Sequence, residues 1–265
     1  MSLGYHLRAH RHTMHVRMDT DADQYPGYAP DPVRRASVVQ RWENLSFIHW
    51  RYPPDAVQAI LPAGLEVDTF DGSAWVAVVP FRMVAVRPPW APSIPWLTTF
   101  PETNVRTYVR DAEGGVGVWF SSLDITRLIG VVVARTWFRV PYTWASMNLD
   151  VQPTSARYHS VRRWPTRGPH VTASVTIGSP ASPSPLLAFL TNRWRAYTVD
   201  GAGRISYGPV AHEPWSIHDA ALEAFSESVV TAAGLPAPGG DPVVHYSRGV
   251  SARVGSLRSV GSLRR

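Results

Sequence analysis

The stretch FPETNVRTYVRDAEGGVGVWFSSLD, Phe100 to Asp124, constrains the fold more than any other part of the chain. Two strand-like runs rich in Val, Thr, Tyr and Trp flank Gly114-Gly115, the pattern of a β-hairpin. The first run places Glu102, Asn104, Arg106 and Tyr108 at every second position. Side chains alternate across a strand, so these four share one face, while Thr103, Val105, Thr107 and Val109 share the other. Such a polar row is either a wet surface above a core or the lining of a sheet that curls around a pocket. Glu102 and Arg106 stand about 13 Å apart at 3.3 Å per residue, too far to pair with each other. Each takes its partner from a neighbouring strand, from water or from a ligand.

The remaining pattern is mostly β. RWENLSFIHW (41–50) reads as a strand and PPDAVQAILP (53–62) as a short helix with Pro at its start. LEVDTFDGSAWVAVVPFRM follows, with a hairpin predicted around Asp71-Gly72. TRLIGVVVARTWF (126–138) is predicted as a helix capped by Asp124 or Thr126, with Arg135 in its last half, where a cation suits the helix dipole or binds a carboxylate. Strands are expected near 143–151, 155–163 and 170–178. After the Pro/Ser-rich segment 179–185, LLAFLTNRW reads as a helix and YTVDGAGRISYGPVAH as a hairpin around Asp200-Gly201. HDAALEAFSESVVTAAGLP (218–236) has the spacing of an amphipathic helix opened by His218, and a final strand pair is expected over 243–258. No strand–helix–strand alternation occurs, which favours an α+β fold, mainly an antiparallel sheet or barrel with a few covering helices. The predicted division is a loosely ordered extension over 1–36, a single domain over 37–258 and a tail over 259–265.

Composition excludes several chemistries. The chain has no cysteine, so disulfides, thiolate nucleophiles and Cys-ligated metals are ruled out. It also has no lysine, and all 26 Lys-plus-Arg residues are Arg. Arginine stays protonated and forms no Schiff base, so imine catalysis by a lysine is excluded. The net charge of +6 is scattered and concentrated in the two ends, which reads as a solvated surface and not as a nucleic-acid site. The longest apolar run, Ile129 to Ala134, is far short of a membrane span, and the first residues lack the apolar core of a secretory signal, so the expected location is the cytoplasm. His10, His12 and His15 lack a fixed scaffold, and Asp68 and Asp71 belong to a turn, so neither a metal nor another cofactor is expected. No GxSxG, HExxH, GxxxxGK or GxGxxG is present.

Outside the hairpin's polar row, Trp119 and Tyr108 are the aromatic neighbours expected to lower the local dielectric around it. His212, followed by Glu213, Pro214 and Trp215, has an imidazole suited to acid or base work near pH 7. His49 shares its strand face with Leu45 and Phe47 and reads as a core histidine. The loop RPPWAPSIPWLTTF (87–100) sets tryptophans among prolines, fitting a homodimer interface and a pocket lid equally well.

Read in order, LPAGLEVDTFDGSAWVAVVPFRM, FPETNVRTYV, GVWFSSLD, Ala134-Arg135, PYTWASM, FLTNRWRAYT, HEPWSIHDA and HYSRGVSARV resemble the family catalogued as domain of unknown function 2071, over roughly residues 39 to 258. That family is similar in fold to acetoacetate decarboxylase, which implies a barrel-like β structure around a central cavity. The decarboxylases use a lysine imine, which this chain cannot form. The reading that results is a protein with a central pocket for a small organic acid or other oxygen-rich metabolite. Arg106 binds the anionic group and Glu102 serves as proton donor or acceptor, the two being the candidate catalytic residues. Asn104, Tyr108, Trp119, Asp124, Arg135 and His212 are the candidate substrate-binding residues. If catalytic, it is a lyase or isomerase without an imine. The alternative is a non-catalytic binding or structural protein whose polar residues form a buried hydrogen-bond network.

Overall fold

The computed structural model describes residues 24–127 and 141–261. Thirteen strands follow in chain order: β1 (Val38–Tyr52), β2 (Leu65–Val67), β3 (Ala74–Arg87), β4 (Phe100–Asp111), β5 (Val116–Ile125), β6 (Tyr142–Gln152), β7 (Ser155–Trp164), β8 (His170–Pro180), β9 (Arg195–Val199), β10 (Ile205–His212), β11 (Ile217–Glu227), β12 (Val243–Val254) and β13 (Arg258–Ser259). Among the described residues four short helices join them: α1 (Pro54–Gln58), α2 (Pro95–Thr98), α3 (Pro185–Thr191) and α4 (Val229–Ala232). The described helices are therefore connectors, and the β-pairing of the sheet carries the architecture.

The sheet closes on itself twice. Strands β5, β6, β7, β8, β11, β12, β1, β3 and β4 pair in sequence, and β4 pairs back to β5, which makes a nine-stranded barrel. Strands β10, β9, β5, β4, β3, β1 and β12 also pair in sequence, and β12 pairs back to β10, which makes a second, seven-stranded ring. The five strands β12, β1, β3, β4 and β5 belong to both, and β3, β4 and β5 are covered on both faces over most of their length. Closure leaves few free strand edges. Most pairings are antiparallel, but β5 runs parallel to β6 and to β9.

On the nine-stranded side the core is Ile48, Val76, Val78 and Val105 packed against Ala156, Tyr158, Val171 and Val175. On the seven-stranded side lie Leu45, Phe47, Ala77, Val79 and Phe81, joined by Trp42 and Trp215, with Trp75, Tyr108, Phe189 and Leu190 beside them. Strand β1 serves both rings by bending. Asn44 takes φ 55° and the register to β3 shifts between Glu43 and Ile48. The bend is fastened by Tyr158, which donates to the Asn44 carbonyl, and by Tyr246, which donates to its side-chain oxygen, both at 2.7 Å. Across from it, Gly249 has φ +130°, and a Cβ there would run into the Trp42 carbonyl, so the position requires glycine. Tyr25 and Val33, ahead of β1, are buried against the domain.

Several expectations change. Residues 218–236 form no long helix: β11 covers Ile217–Glu227, and only the four residues of α4 are helical. The Ala, Leu and Glu content favours a helix intrinsically, but pairing with β8 and β12 overrides that weak preference. His218 consequently lies on a strand. Asp124 caps no helix; it lies within β5, where its carboxylate is tied to the barrel interior. Asp71 and Gly72 do form a turn with positive φ, yet β2 before it pairs with β4 and not with β3. The expected final pair is one strand, β12, followed by the two-residue β13 on β10. The helix predicted over 126–138, with Arg135, lies outside the described residues. No described helix is long and apolar enough to cross a membrane.

Candidate functional site

Strand β4 carries Glu102, Asn104, Arg106 and Tyr108 on the face that looks into the seven-stranded ring. Opposite the first three on β3 stand Phe81, Val79 and Ala77, and Tyr108 packs with Trp75, all core residues of that ring. The opposite row, with Thr103, Val105 and Thr107, is equally buried. The choice between a wet face and a core face thus resolves into neither: the strand is sandwiched between two interiors.

At one end of the row Tyr108 is fully enclosed. Its hydroxyl donates to the Leu190 carbonyl at 2.8 Å, which can only accept. The oxygen is then left to accept from His49 Nε2 at 2.7 Å and from Arg106 at a longer 3.4 Å. Tyr108 is therefore spent on holding α3, His49 and Arg106 in place. Burial, reinforced by the Arg106 and His245 charges, keeps His49 well below the ordinary imidazole range.

Arg106 is the unusual group. Its guanidinium lies 5.3 Å over the Phe47 ring and 5.7 Å from the Tyr108 ring. Its hydrogen bonds are two contacts of 3.4 Å, to Tyr108 and to the Leu190 carbonyl, and its Nε is buried with no partner. Among the described residues no carboxylate lies within ion-pair distance of it. Next along the row, the buried Asn104 side-chain oxygen is also unpartnered. Buried donors and acceptors are normally satisfied, so two open ones on one face are a feature to explain.

Glu102 ends the row. Burial pushes its carboxyl up to about 8, with Asp124 adding to the rise and hydrogen bonds from Asn104 and Tyr142 opposing it. Tyr142 donates to it at 3.5 Å. At neutral pH this carboxyl is mostly protonated, and so is a proton donor in an apolar surround of Phe81, Phe100 and Ile125.

His212 closes the ring from β10. It packs against Trp194 and Trp215 at 4.5 and 4.6 Å and Trp42 at 5.7 Å, while Trp215 in turn stands 5.3 Å from Phe47. Phe47 and Trp215 thus separate His212 from Arg106. Burial, and to a lesser extent the Arg106 charge, lowers the His212 proton affinity.

Two expected members sit elsewhere. Trp119 packs with Leu65, Val109 and Tyr197, on the face of the hairpin opposite to that of Tyr108. Asp124 pairs with Thr103 across β4–β5, hence on the opposite face too, because a bulge near Val105/Arg106 changes the alternation of β5 between them. There Arg162 contacts Asp124 Oδ1 through Nε at 2.9 Å and its terminal nitrogen at 2.8 Å, Thr143 donates to the same oxygen, and Ser122 accepts from Arg162. Sequence reasoning missed Arg162, although Ala156, Tyr158, Ser160 and Arg162 alternate as a buried row of β7. It also missed Asp68, which is buried and receives Arg193 at 2.6 Å, Arg110 at 3.0 Å and the Tyr25 hydroxyl at 2.9 Å. Among the described residues no group of three or more metal-ligating side chains assembles.

The fold has solved counterparts. The enduracididine biosynthesis enzyme MppR complexed with pyruvate superposes with TM-score 0.60 at 15% identity, covering 87% of this chain and 93% of that one. Acetoacetate decarboxylase from Legionella pneumophila gives 0.57 at 14% identity, covering 88% and 92%. These similarities show an acetoacetate decarboxylase-like fold. In sequence, an uncharacterised protein of Bacillus subtilis (strain 168), YqjF, is 34% identical over 211 residues, 79% of this chain and 86% of its own length. Residues 39–251 match the uncharacterised conserved proteins grouped as domain of unknown function 2071, and the chain belongs to that family.

Proposed function

We propose that the interior of the seven-stranded ring binds a small organic acid, with Arg106 as the group that receives its carboxylate. The observation that carries this reading is the Arg106 guanidinium: mostly withdrawn from water, without a carboxylate among the described residues, and with an unpartnered buried Nε. A cation desolvated without a counter-charge is costly, and an anionic ligand supplies the missing charge and acceptors. Asn104 offers its open oxygen to a ligand hydroxyl or amide, and Tyr108 acts through Arg106 by orienting it. The protonated Glu102 is the proton donor at the far end of the row. A similar fold in MppR was solved with pyruvate, which is consistent with a ligand of this size and charge.

The chemistry that fits is a lyase or isomerase step driven by an acid–base pair and a fixed cation, since the chain has no lysine for an imine. The test is ligand-induced stabilisation: small carboxylates such as pyruvate should raise the melting temperature of the wild type by mass action, and Arg106→Leu should abolish the rise. A rise that persists in Arg106→Leu moves the anion site elsewhere.

A further inference from the structure

We infer that the outer face of strands β6 and β7 carries a second binding site, for a small phosphate ester with a flat ring, such as a nucleoside monophosphate. It lies outside the barrel and does not depend on the reading of Arg106. Alternation builds it. Strand β6 buries Thr143 and Ala145 and turns Trp144 and Ser146 outward, while β7 buries Tyr158, Ser160 and Arg162 and turns His159 and Arg163 outward. The chain after β7 then folds back on itself. The Arg162 backbone N–H donates to the Pro169 carbonyl at 2.8 Å and the Gly168 N–H to the Arg162 carbonyl at 3.3 Å. Gly168 takes φ +109°, which side-chain-bearing residues rarely adopt, so this return rests on glycine. The turn carries Arg167. Trp144, Ser146, His159, Arg163, Arg167 and Gly168 together line an open groove of about 430 Å³. That volume falls within the roughly 300–1,000 Å³ of small-molecule pockets.

The chemistry of the lining selects the ligand. No Asp or Glu lines the groove, and among the described residues neither Arg163 nor Arg167 has a carboxylate within ion-pair distance. Arg162, the third arginine of the lining, is already neutralised by Asp124. Two guanidiniums are thus left without a counter-charge over one concavity. Their forked donors match the oxygens of a phosphate, and a dianion answers two cations where a monocarboxylate answers one. His159 is fixed through Nδ1, 3.1 Å from Thr172 Oγ1, which leaves Nε2 for a ligand oxygen. Trp144 supplies the other half of the recognition. It lines the same groove and is 36% exposed, offering a face on which a flat ring stacks. A merely solvated basic surface needs neither a concavity nor an indole set within it.

Isothermal titration calorimetry at low ionic strength with AMP, ribose 5-phosphate, adenosine and inorganic phosphate tests the assignment. Expected is one AMP per chain, with the other three each weaker by about tenfold or more, since each lacks either the stacking ring or the phosphate. Arg163→Gln combined with Arg167→Gln should weaken AMP by about tenfold or more, and Trp144→Ala should bring AMP to the affinity of ribose 5-phosphate. All three residues are exposed, so these variants should keep the wild-type melting temperature and its response to pyruvate, and Arg106→Leu should keep AMP binding. AMP binding unchanged in the double-arginine variant, equal affinities for AMP and ribose 5-phosphate, or no AMP binding at all overturns the assignment. Loss of AMP binding in Arg106→Leu overturns it too, by moving the phosphate into the seven-stranded ring. Tighter binding of a single-stranded oligonucleotide than of AMP overturns it by making the groove a nucleic-acid surface.

Discussion

Replacing Arg106 by Leu separates a ligand site from a structural network, because the two make different demands on stability. If Arg106 is the hub of a network, its loss leaves partners unpaired in the interior, at a cost of about 3–5 kcal/mol. The geometry argues for much less. Both of its hydrogen bonds are 3.4 Å, beyond the 2.7–3.2 Å of well-formed N–H···O contacts. Its acceptors do not depend on it, since Tyr108 keeps His49 and the Leu190 carbonyl keeps the Tyr108 hydroxyl. What is lost is the stacking over Phe47 and Tyr108, about 0.5–2 kcal/mol. Against this stands relief from holding an unpaired cation out of water. The net is expected to be a destabilisation of about 1 kcal/mol or less, a fall in melting temperature of roughly 2–4 °C. Arg162→Leu is the internal control. Arg162 is more deeply buried, in the other ring, contacts Asp124 at 2.8–2.9 Å and leaves a buried carboxylate behind when removed, so about 3–5 kcal/mol is expected. Both variants are measured by thermal unfolding under one buffer and scan rate. If Arg106→Leu falls as far as Arg162→Leu, Arg106 is structural and the ligand reading is refuted.

Glu102 should give the protein a pH signature. Its carboxyl is raised in the folded state to about 8 against 4.5 for the free group, so the folded protein holds the extra proton and the stabilisation is full below about pH 4.5 and lost as pH rises through 8. The stake is on the order of several kcal/mol, and Glu102→Gln should flatten the decline in denaturant unfolding between pH 5 and 9; an unchanged slope removes Glu102 as its source. His49 and His212 work in the opposite sense. Their folded-state proton affinities are depressed, so their contribution is present above pH 6.5 and lost on acidification, and His49→Phe should weaken the acid-side fall. Asp68→Asn should cost about 3 kcal/mol by disrupting the buried Arg193 pair and the Tyr25 bond, whereas Tyr25→Phe should cost only about 1 kcal/mol, both readable as denaturant midpoints. Trp90 and Trp96 are 86% and 68% exposed, and if a second copy covers them, light scattering should give a dimer mass that Trp90→Ser with Trp96→Ser halves; a monomeric wild type ends that idea.

Period-two alternation made the β4–β5 hairpin, β1, β6, β7 and β8 legible, because each is long enough for its pattern to be distinctive. It failed at β11, where helix-forming residues occupy a strand held by neighbours far away in sequence. It also failed to distinguish the two faces of β4. A row of Glu, Asn, Arg and Tyr looks like a solvent face in any local window, and only double closure of the sheet buries it. Trp119, expected as an aromatic neighbour of the row, and Asp124, expected chiefly as a helix cap, both fall on the face opposite to Tyr108. Strict alternation along β5 would have kept a single phase, but the bulge opposite Val105/Arg106 changes it within the strand. A bulge has no sequence signature here that a reader could have used.

Double closure also explains why the candidate site is where it is. In a single barrel a strand has an inner and an outer face, and polar residues on the outer one are free of cost. Where the shared strands are covered on both sides, as over most of β4, a polar side chain must be satisfied internally or retained for use. On the nine-stranded side Arg162 meets Asp124 and Ser122 and Tyr158 meets the Asn44 carbonyl, although Asp124 Oδ2 and Ser160 Oγ are left without a partner. On the seven-stranded side Tyr108 is satisfied, while Arg106 Nε, the Asn104 oxygen and His49 Nδ1 are buried without a partner. Arg106 Nε and the Asn104 oxygen are a donor and an acceptor on one face of β4, which suits a small acid. A sequence selected only for stability would lose about 1 kcal/mol or less by replacing Arg106 with an aliphatic side chain, so stability alone gives little reason to keep it. Its presence argues that it is kept for something the protein binds.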